Sequence, residues 1–275
     1  MAKFQTEDGV SIFYEVTGTG TPLVFIHEFG GDYRSWARQI PFFSRFYRCI
    51  TFSARGFSPS SVPDDRNLYG QTKSTGDVLA LINHLSLKSV HLVGTSMGSF
   101  TSLDFALNHC DRVQSITLIG NSSGPRDEQE RAGYRQNWIG DEIRLREIHG
   151  AGGAIAALEK EFAYQRFRKN DPDGWAIYAE NLRGQSVAGA IHILSTLHWD
   201  RRSLFDDGLR LKALDKPFLL VTGDEDYYLV GETNAFLNRV LPNSIWHNFK
   251  CTGHLVNVEQ ALEFNGLLAK FLEPL

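Results

Sequence analysis

Residues 90–98 read Val90-His91-Leu92-Val93-Gly94-Thr95-Ser96-Met97-Gly98. An apolar run is followed here by a helical pattern, so the segment is predicted as a strand, a sharp turn and a helix. A serine at the apex of such a turn is pushed out above the sheet, where its hydroxyl can act as a nucleophile. Glycines on both sides allow the backbone to close without Cβ clashes. Because the G-x-S-x-G pattern alone is a weak sign, the rest of the chain has to support it.

The rest of the chain alternates between strand and helix patterns. Short apolar or alternating segments predict strands at 12–16, 23–26, 49–52, 90–93, 115–119, 218–221 and 244–249. Helical patterns cover 75–85 and 98–107. This alternation predicts an α/β fold with a mostly parallel central sheet flanked by helices. Ligands of such sheets bind at the carboxyl ends of the strands.

The alternation of strand and helix patterns stops between residues 121 and 205. No strand pattern is present there, and the composition is helical, polar and aromatic. We interpret 121–205 as a helical lid (cap) subdomain inserted before the last strands. Residues 1–120 and 206–275 then form the core. Because the segment leaves and rejoins the core near the carboxyl end of the sheet, we expect it to cover that end.

Composition restricts the class of partner. The 275 residues carry a formal net charge of −4, and no run of Lys or Arg exceeds two residues, which argues against nucleic acid and anionic membranes as partners. We expect a small-molecule substrate and a cytoplasmic location, because no signal peptide or membrane-spanning stretch is evident. The cysteines have no C-x-x-C spacing and the histidines no H-x-x-x-H pair, so no metal is expected.

A nucleophilic serine needs a base, and the base needs an acid that orients it. His254 follows the last predicted strand, and three acids, Asp224, Glu225 and Asp226, follow the strand before it. The order serine, acid, histidine is one of the three known orders of serine triads. The residues alone do not decide which of the three acids would be used.

Taken together, these motifs resemble the α/β-hydrolase family over nearly the whole chain. The similar segments are His27-Glu28-Phe29-Gly30-Gly31, Arg55-Gly56-Phe57-Ser58, Gly94-Thr95-Ser96-Met97-Gly98, Gly223-Asp224-Glu225-Asp226 and Gly253-His254. They are similar to the family's oxyanion loop, its R-G-x-G-x-S element, the nucleophile elbow, the acid and the histidine. Within the family, the elbow and the helical lid look most like the esterase, enol-lactonase and carbon–carbon hydrolase group.

The resemblance implies a role for each matching residue. Ser96 would be the nucleophile, His254 the general base and then acid, and Asp226 the acid that orients it, because the family's acid lies three residues after the glycine. The backbone N–H groups of Phe29 and Met97 would form the oxyanion hole. No cofactor is required for this chemistry.

One departure from the family pattern lies at the oxyanion loop itself. Glu28 replaces a glycine and puts a carboxylate beside the expected oxyanion hole. A negative charge pointing inward would oppose an anionic intermediate, so we expect Glu28 to turn away or to pair with Arg55 or Arg34. Its side chain would then be structural, with contact to the substrate as the alternative.

The resulting functional hypothesis is a serine hydrolase that cleaves a carboxylic ester or lactone through an acyl-enzyme. A carbon–carbon bond hydrolase with the same triad is the alternative, and a non-catalytic small-ligand-binding protein is the alternative of a different class. Aromatic residues in the lid suggest a mostly apolar pocket, with Trp138, His198 and Trp199 as candidate contacts. Whether these aromatics only pack the lid on the core is left open, as is the oligomeric state.

Overall fold

The computed structural model describes residues 2–275 and is built around one sheet of eight strands. The strands are β1 (Ala2–Gln5), β2 (Ser11–Thr17), β3 (Thr21–Ile26), β4 (Tyr47–Phe52), β5 (Val90–Thr95), β6 (Val113–Ile119), β7 (Phe218–Gly223) and β8 (Ser244–Phe249). Their order across the sheet is β1-β2-β4-β3-β5-β6-β7-β8. The β1–β2 and β2–β4 pairs are antiparallel, and all pairs from β4–β3 onward are parallel. The prediction of a mostly parallel sheet is confirmed.

Helices connect the strands and cover both faces of the sheet. The α-helices are α1 (Ile40–Phe43), α2 (Gln71–His84), α3 (Met97–Asn108), α4 (Glu128–Gly133), α5 (Gly140–His149), α6 (Ala151–Leu158), α7 (Phe162–Asn170), α8 (Pro172–Arg183), α9 (Val187–Ile193), α10 (Gly208–Lys212), α11 (Tyr228–Val240), α12 (Val256–Glu259) and α13 (Ala261–Leu272). Short 3₁₀ turns cover Tyr33–Trp36, Arg66–Leu68, Cys110–Arg112 and Phe205–Asp207. Two π-helical segments, Tyr134–Ile139 and Leu194–His198, lie between β6 and β7.

The core has two layers because side chains along a strand alternate between faces. In β3, Val24 belongs to the apolar cluster on the side of α2 and α3, whereas Leu23 and Phe25 belong to the cluster on the side of α13. All residues of β5 are buried between neighbours on both sides. Burial on both faces explains why β5 is mainly apolar up to its Gly94-Thr95 end; its one histidine, His91, is buried with Nδ1 2.7 Å from Ser115 Oγ.

Between β6 and β7 the chain forms α4 to α10, both π-helical segments and the 3₁₀ turn Phe205–Asp207, and no strand. We refer to residues 121–205 as the insertion. Part of it packs onto the core through an aromatic cluster in which Tyr164, Phe167, Trp175 and Tyr178 surround Leu255. The predicted helical insertion before the last strands is confirmed.

Candidate active site

Ser96 is the single residue between β5 and α3, and its backbone has φ 52° and ψ −109°. A positive φ in a residue with a side chain costs about 1–3 kcal/mol, so the surrounding packing has to enforce it. That packing is tight: a Cβ on Gly98 would lie 2.0 Å from the carbonyl oxygen of Ile26, and a Cβ on Gly94 would lie 2.3 Å from that of Gly98. The Ser96 N–H donates to Ile119 O at 2.8 Å. The turn therefore holds the Ser96 side chain at the edge of a cavity, which it lines.

His254 lines the same cavity as Ser96 and is 6% exposed. Its Nδ1 lies 2.8 Å from Asp226 Oδ1, and its backbone N–H donates to Ala163 O in the insertion at 3.0 Å. Burial lowers the pKa of His254, but the charge of Asp226 and the hydrogen bond to it outweigh burial, so the pKa is raised. Within residues 2–275, neither His254 Nε2 nor the Ser96 hydroxyl has a hydrogen-bond partner. The pair is thus free to interact with a molecule in the cavity.

Of the three acids after β7, only Asp226 contacts His254. Asp224 accepts a hydrogen bond from the backbone N–H of Thr252 at 3.3 Å, and Glu225 forms an ion pair with an arginine of α7. The structure therefore distinguishes between residues that the sequence left equivalent.

Glu259 is a half-buried acid that sequence analysis missed. Its two carboxylate oxygens accept from the N–H groups of Gly253 at 2.9 Å and Leu255 at 3.1 Å, one on each side of His254. The carboxylate thereby fixes the backbone on both sides of the histidine. The glutamate five residues after His254 was visible in the sequence, but its contacts depend on the turn between them.

His27 fixes the loop that follows β3. Its Nε2 accepts the N–H of Ala54 at 2.9 Å, so the proton of a neutral ring lies on Nδ1, which donates to Glu28 O at 2.7 Å. Burial lowers the pKa of His27, which favours this neutral form. The loop also lies against the start of α3, because a Cβ on Gly98 would be 2.7 Å from His27 O.

The two backbone groups expected to form the oxyanion hole lie in these adjoining segments. Phe29 lines the cavity, and Met97 begins α3 directly after Ser96. Neither N–H donates to an acceptor within residues 2–275, and Phe29 O accepts from Gln185 Nε2 in the insertion at 3.0 Å. Both N–H groups are therefore available to a ligand.

Glu28 does not pair with Arg55 or Arg34, so this part of the expectation is wrong. Glu28 is among the residues that line the cavity, and its carboxyl group accepts from Ser35 Oγ at 3.0 Å through Oε1 and leaves Oε2 buried without a partner. Arg55 forms ion pairs with two aspartates, and Arg34 pairs with the aspartate two residues before it. Burial raises the pKa of Glu28 to about 7. A carboxyl group without a cation becomes easier to bury when it is protonated.

The cavity has a volume of about 280 Å³ and is lined from both the core and the insertion. Its walls are mainly aromatic and aliphatic, and its polar groups come from acids, arginines and histidines and from serine and tyrosine hydroxyls. Besides Glu28, Phe29, Ser96 and His254, the lining residues are Gly30, Ser122, Tyr134, Trp138, Glu142, Arg146, Leu158, Tyr164, Tyr178, Leu182, His198, Arg201, Tyr227, Leu229 and Val230. A cavity of this composition suits a small, mostly apolar molecule with few polar groups.

Two of the three aromatic contacts expected from the insertion do line the cavity. Trp138 stacks on Tyr134 with ring centroids 5.1 Å apart, and His198 meets the edge of Trp138 at 5.1 Å. Trp199 does not line it: its ring lies 4.7 Å from the guanidinium of Arg135 instead. Successive helical residues point about 100° apart, so Trp199 cannot share the direction of His198.

In the part of the chain that the structure describes, no three His, Cys, Asp or Glu side chains are grouped so that they could hold a metal ion. No helix within residues 2–275 is long and apolar enough to cross a membrane.

Comparison with known proteins places this geometry in context. A family model described as the alpha/beta hydrolase fold matches residues 21–261. A putative non-heme chloroperoxidase of Synechocystis is 29% identical, covering 96% of this chain and 95% of that protein. A 2-hydroxymuconate semialdehyde hydrolase of a Pseudomonas strain is 26% identical, covering 93% and 88%. The solved structure of an enol-lactonase from Burkholderia xenovorans superposes with a TM-score of 0.86 at 19% identity, covering 99% and 100%.

Proposed function

This chain belongs to the α/β-hydrolase family, and we propose that it is a serine hydrolase that cleaves a carboxylic ester or lactone of a small, mostly apolar substrate. One observation carries the proposal. Ser96, held in its strained turn, and His254, paired through Nδ1 with Asp226 at 2.8 Å, line one cavity. A nucleophile, a base and an acid that orients the base are the groups that acyl transfer requires.

In the first half of the proposed reaction, Ser96 Oγ attacks the ester carbonyl carbon and its proton passes to His254 Nε2. The carbonyl oxygen becomes an oxyanion, which accepts hydrogen bonds from the N–H groups of Phe29 and Met97. When the intermediate collapses, the bond to the alcohol oxygen breaks and His254 returns the proton to that oxygen. Asp226 stays ionised throughout and stabilises the imidazolium.

In the second half, a water molecule takes the place of the alcohol. His254 removes a proton from the water as its oxygen attacks the acyl carbon, and the second tetrahedral intermediate collapses to release the acid. The proton returns from His254 to Ser96 Oγ, so the enzyme is regenerated. No step requires a group from outside the chain other than water.

The insertion supports this chemistry as a lid. We propose that 121–205 is a cap subdomain over a core formed by 1–120 and 206–275. The cavity draws Tyr134, Trp138 and Arg146 from the insertion and Ser96 and His254 from the core, so a bound substrate would lie between the two. Water exclusion by such a cover strengthens the electrostatic interactions inside.

The proposal is tested by hydrolysis of a short p-nitrophenyl ester. We expect Ser96→Ala and Asp226→Asn each to lower kcat by roughly 10⁴-fold, because the nucleophile or the orientation of the base is lost. Asp224→Asn is the matched control: it removes the same charge two residues away, from a side chain that does not contact His254, and should keep kcat within a few-fold. Equal rates for the wild type and Ser96→Ala would contradict the proposal of a serine hydrolase. A non-catalytic ligand-binding protein would then be the remaining alternative.

Carbon–carbon bond hydrolysis is the second candidate. It is favoured by the 26% identity to a 2-hydroxymuconate semialdehyde hydrolase across 93% of this chain. The same serine, histidine and aspartate would be used, so the geometry of these residues does not separate the two reactions. The two reactions are separated by comparing kcat/KM for 2-hydroxymuconate semialdehyde with kcat/KM for an ester of similar size.

A further inference from the structure

Arg201 is a buried cation without a counter-ion. Its residue is 4% exposed and lines the cavity, and within residues 2–275 it forms no ion pair with any acid. Its Nε and Nη2 atoms are buried and have no hydrogen-bond partner. Because transfer of an unpaired charge out of water is costly, such a group calls for an explanation.

The neighbours of Arg201 do not neutralise it. Its Nη1 donates to Ser122 Oγ at 3.2 Å, and its guanidinium carbon lies 4.7 Å from the ring centroid of Phe100. Both neighbours are uncharged. His198 is held neutral as well, because burial and the charges of Arg201 and Arg146 keep its pKa well below the usual value, and its Nε2 has no partner.

The acids that line the cavity have other partners. Glu142 forms an ion pair with Arg146, Glu28 accepts from a serine hydroxyl, and Asp226, behind the cavity wall, is hydrogen-bonded to His254. Arg146 is therefore a compensated cation and Arg201 is not. Of the two arginines that line the cavity, Arg201 is the one that no carboxylate pairs with.

The backbone holds Arg201 firmly in this position. Residues 201–204 rejoin the core beside the segment after β6, where Gly124 N donates to Arg202 O at 3.0 Å and Leu204 N donates to Ser123 Oγ at 2.8 Å. A Cβ on Gly124 would lie 2.3 Å from Arg201 O, so the two segments are in direct contact. Arg201 is thus a residue of the cavity wall that a fixed backbone holds in place.

We propose that Arg201 binds a carboxylate of the substrate, so that the preferred substrate is an ester or lactone that also carries an ionised carboxyl group. This inference rests on the proposed function. A planar guanidinium matches a carboxylate through two parallel hydrogen bonds. One guanidinium balances one negative charge, which favours a carboxylate over a phosphate dianion. The sequence predicted a mostly apolar pocket and gave no sign of this charged group.

The test compares two substrates that differ only in this charge: mono-p-nitrophenyl glutarate and its neutral methyl ester. We expect the wild type to prefer the acid in kcat/KM by roughly 10-fold or more, the value of one charge-assisted hydrogen bond. Arg201→Met should bring the ratio of the two kcat/KM values to about one or below. The succinate and adipate half-esters then measure the spacing between the carbonyl and the anion. A wild-type ratio near one across all three chain lengths would overturn the inference.

Arg144→Met is the matched control, because it places the same substitution in the insertion at an exposed arginine that does not line the cavity. It should keep the wild-type ratio. Arg201→Met should also unfold at a higher temperature than the wild type, since it removes an uncompensated buried charge. A lower unfolding temperature with an unchanged ratio would show that Arg201 has a structural role only.

Failure of the inference and failure of the proposed function give different results. Hydrolysis of the neutral diester that depends on Ser96 but shows no preference for the acid would sink the carboxylate site alone. Hydrolysis of neither substrate, or hydrolysis unaffected by Ser96→Ala, would sink the proposed function. In that case, calorimetric titration of the wild type with glutarate, using glutaramide for comparison, still tests the anion site, and equal weak binding of both would overturn it.

Discussion

Glu28 lines the cavity where the proposed reaction develops negative charge, and its charge helps to raise the pKa of His254. Since burial raises the pKa of the Glu28 carboxyl group to about 7, this group is neutral over much of the acidic range and ionised above it. The neutral form can donate a hydrogen bond through the unpartnered Oε2, whereas the ionised form opposes an oxyanion. Activity should therefore depend on two titrations, those of Glu28 and His254.

We expect Glu28→Gln to change the pH profile of kcat/KM in two ways. Above pH 7 the variant should exceed the wild type by roughly 10-fold, because it has no anion near the developing charge. On the acidic side its limb should move to lower pH, because the charge of Glu28 contributes to raising the pKa of His254. Rates on a neutral p-nitrophenyl ester between pH 5 and 9 provide the measurement.

Glu263→Gln is the control for this experiment, because Glu263 is an exposed acid on α13 outside the cavity. Its profile should match the wild type. Identical profiles for Glu28→Gln and the wild type would mean that Glu28 does not act on the reaction.

Single residues were predictable where a backbone motif carries them. The turn at Ser96 is a local motif, and the order of acid and histidine is read directly along the chain. The sequence therefore indicated both. The partners of Glu28, the outward direction of Trp199 and the missing counter-ion of Arg201 depend on segments distant along the chain. No local pattern encodes such contacts, because they arise only when the insertion folds over the core.

Among the elements, the junction of β3, β5 and α3 brings Ser96, the proposed nucleophile, close to the loop that carries Phe29. Gly98 in α3 lies so near β3 that a Cβ would be 2.0 Å from Ile26 O. The contact is with backbone, which cannot rotate away as a side chain can. Any larger residue at this position has to move α3 away from the loop that bears Phe29.

We expect Gly98→Ala to lower the free energy of unfolding by about 1–3 kcal/mol, as overpacking does, and to lower kcat by about 100-fold. The loss in kcat follows because the N–H groups of Met97 and Phe29 would no longer converge. Urea unfolding and p-nitrophenyl ester hydrolysis measure the two effects.

Gly76→Ala is the matched control for this substitution. Gly76 lies inside α2 with nothing within 4 Å of an added Cβ, so alanine should raise stability by about 0.5–1 kcal/mol and leave kcat unchanged. Similar effects of both substitutions would show that the close approach at Gly98 has no special importance.

The elements themselves followed largely from sequence. Each of the seven predicted strands lies within an observed strand, and helices occur at both predicted sites. β1 was missed because it is a four-residue edge strand, which pairs only with β2 and has one buried residue, so its pattern is too short to identify. The helix bounds within the insertion were not predictable, since its two π-helical segments continue adjoining α-helices without a break in the sequence pattern.

On the scale of the whole molecule, the cavity affects the stability of the fold. The folded protein holds the proton of Glu28 with a pKa of about 7, against an ordinary value of 4.5. Between these two pH values the folded state binds more protons than the unfolded state. The contribution of Glu28 to the free energy of unfolding therefore falls as the pH rises through this window.

We expect Glu28→Gln to be more stable than the wild type by roughly 2–3 kcal/mol at pH 8 and by much less at pH 5. Buried histidines with lowered pKa values, such as His27 and His91, act in the opposite direction below pH 6.5. They are present in both proteins and cancel in the difference. Urea unfolding of both proteins at pH 5 and pH 8 measures this difference in stability. A difference that does not depend on pH would contradict the raised pKa of Glu28.

The hydrogen bond from His254 N to Ala163 O joins the histidine loop to the insertion. Any outward movement of α7 that opens an entrance to the cavity would have to break this bond. The backbone of His254 would then be free to move. In the open molecule, where bulk water can enter, His254 would lose its alignment with Ser96. It would regain this alignment only when α7 closes again. The open state would then admit a ligand and only the closed state would react. The rate of reclosure would therefore set an upper limit on turnover.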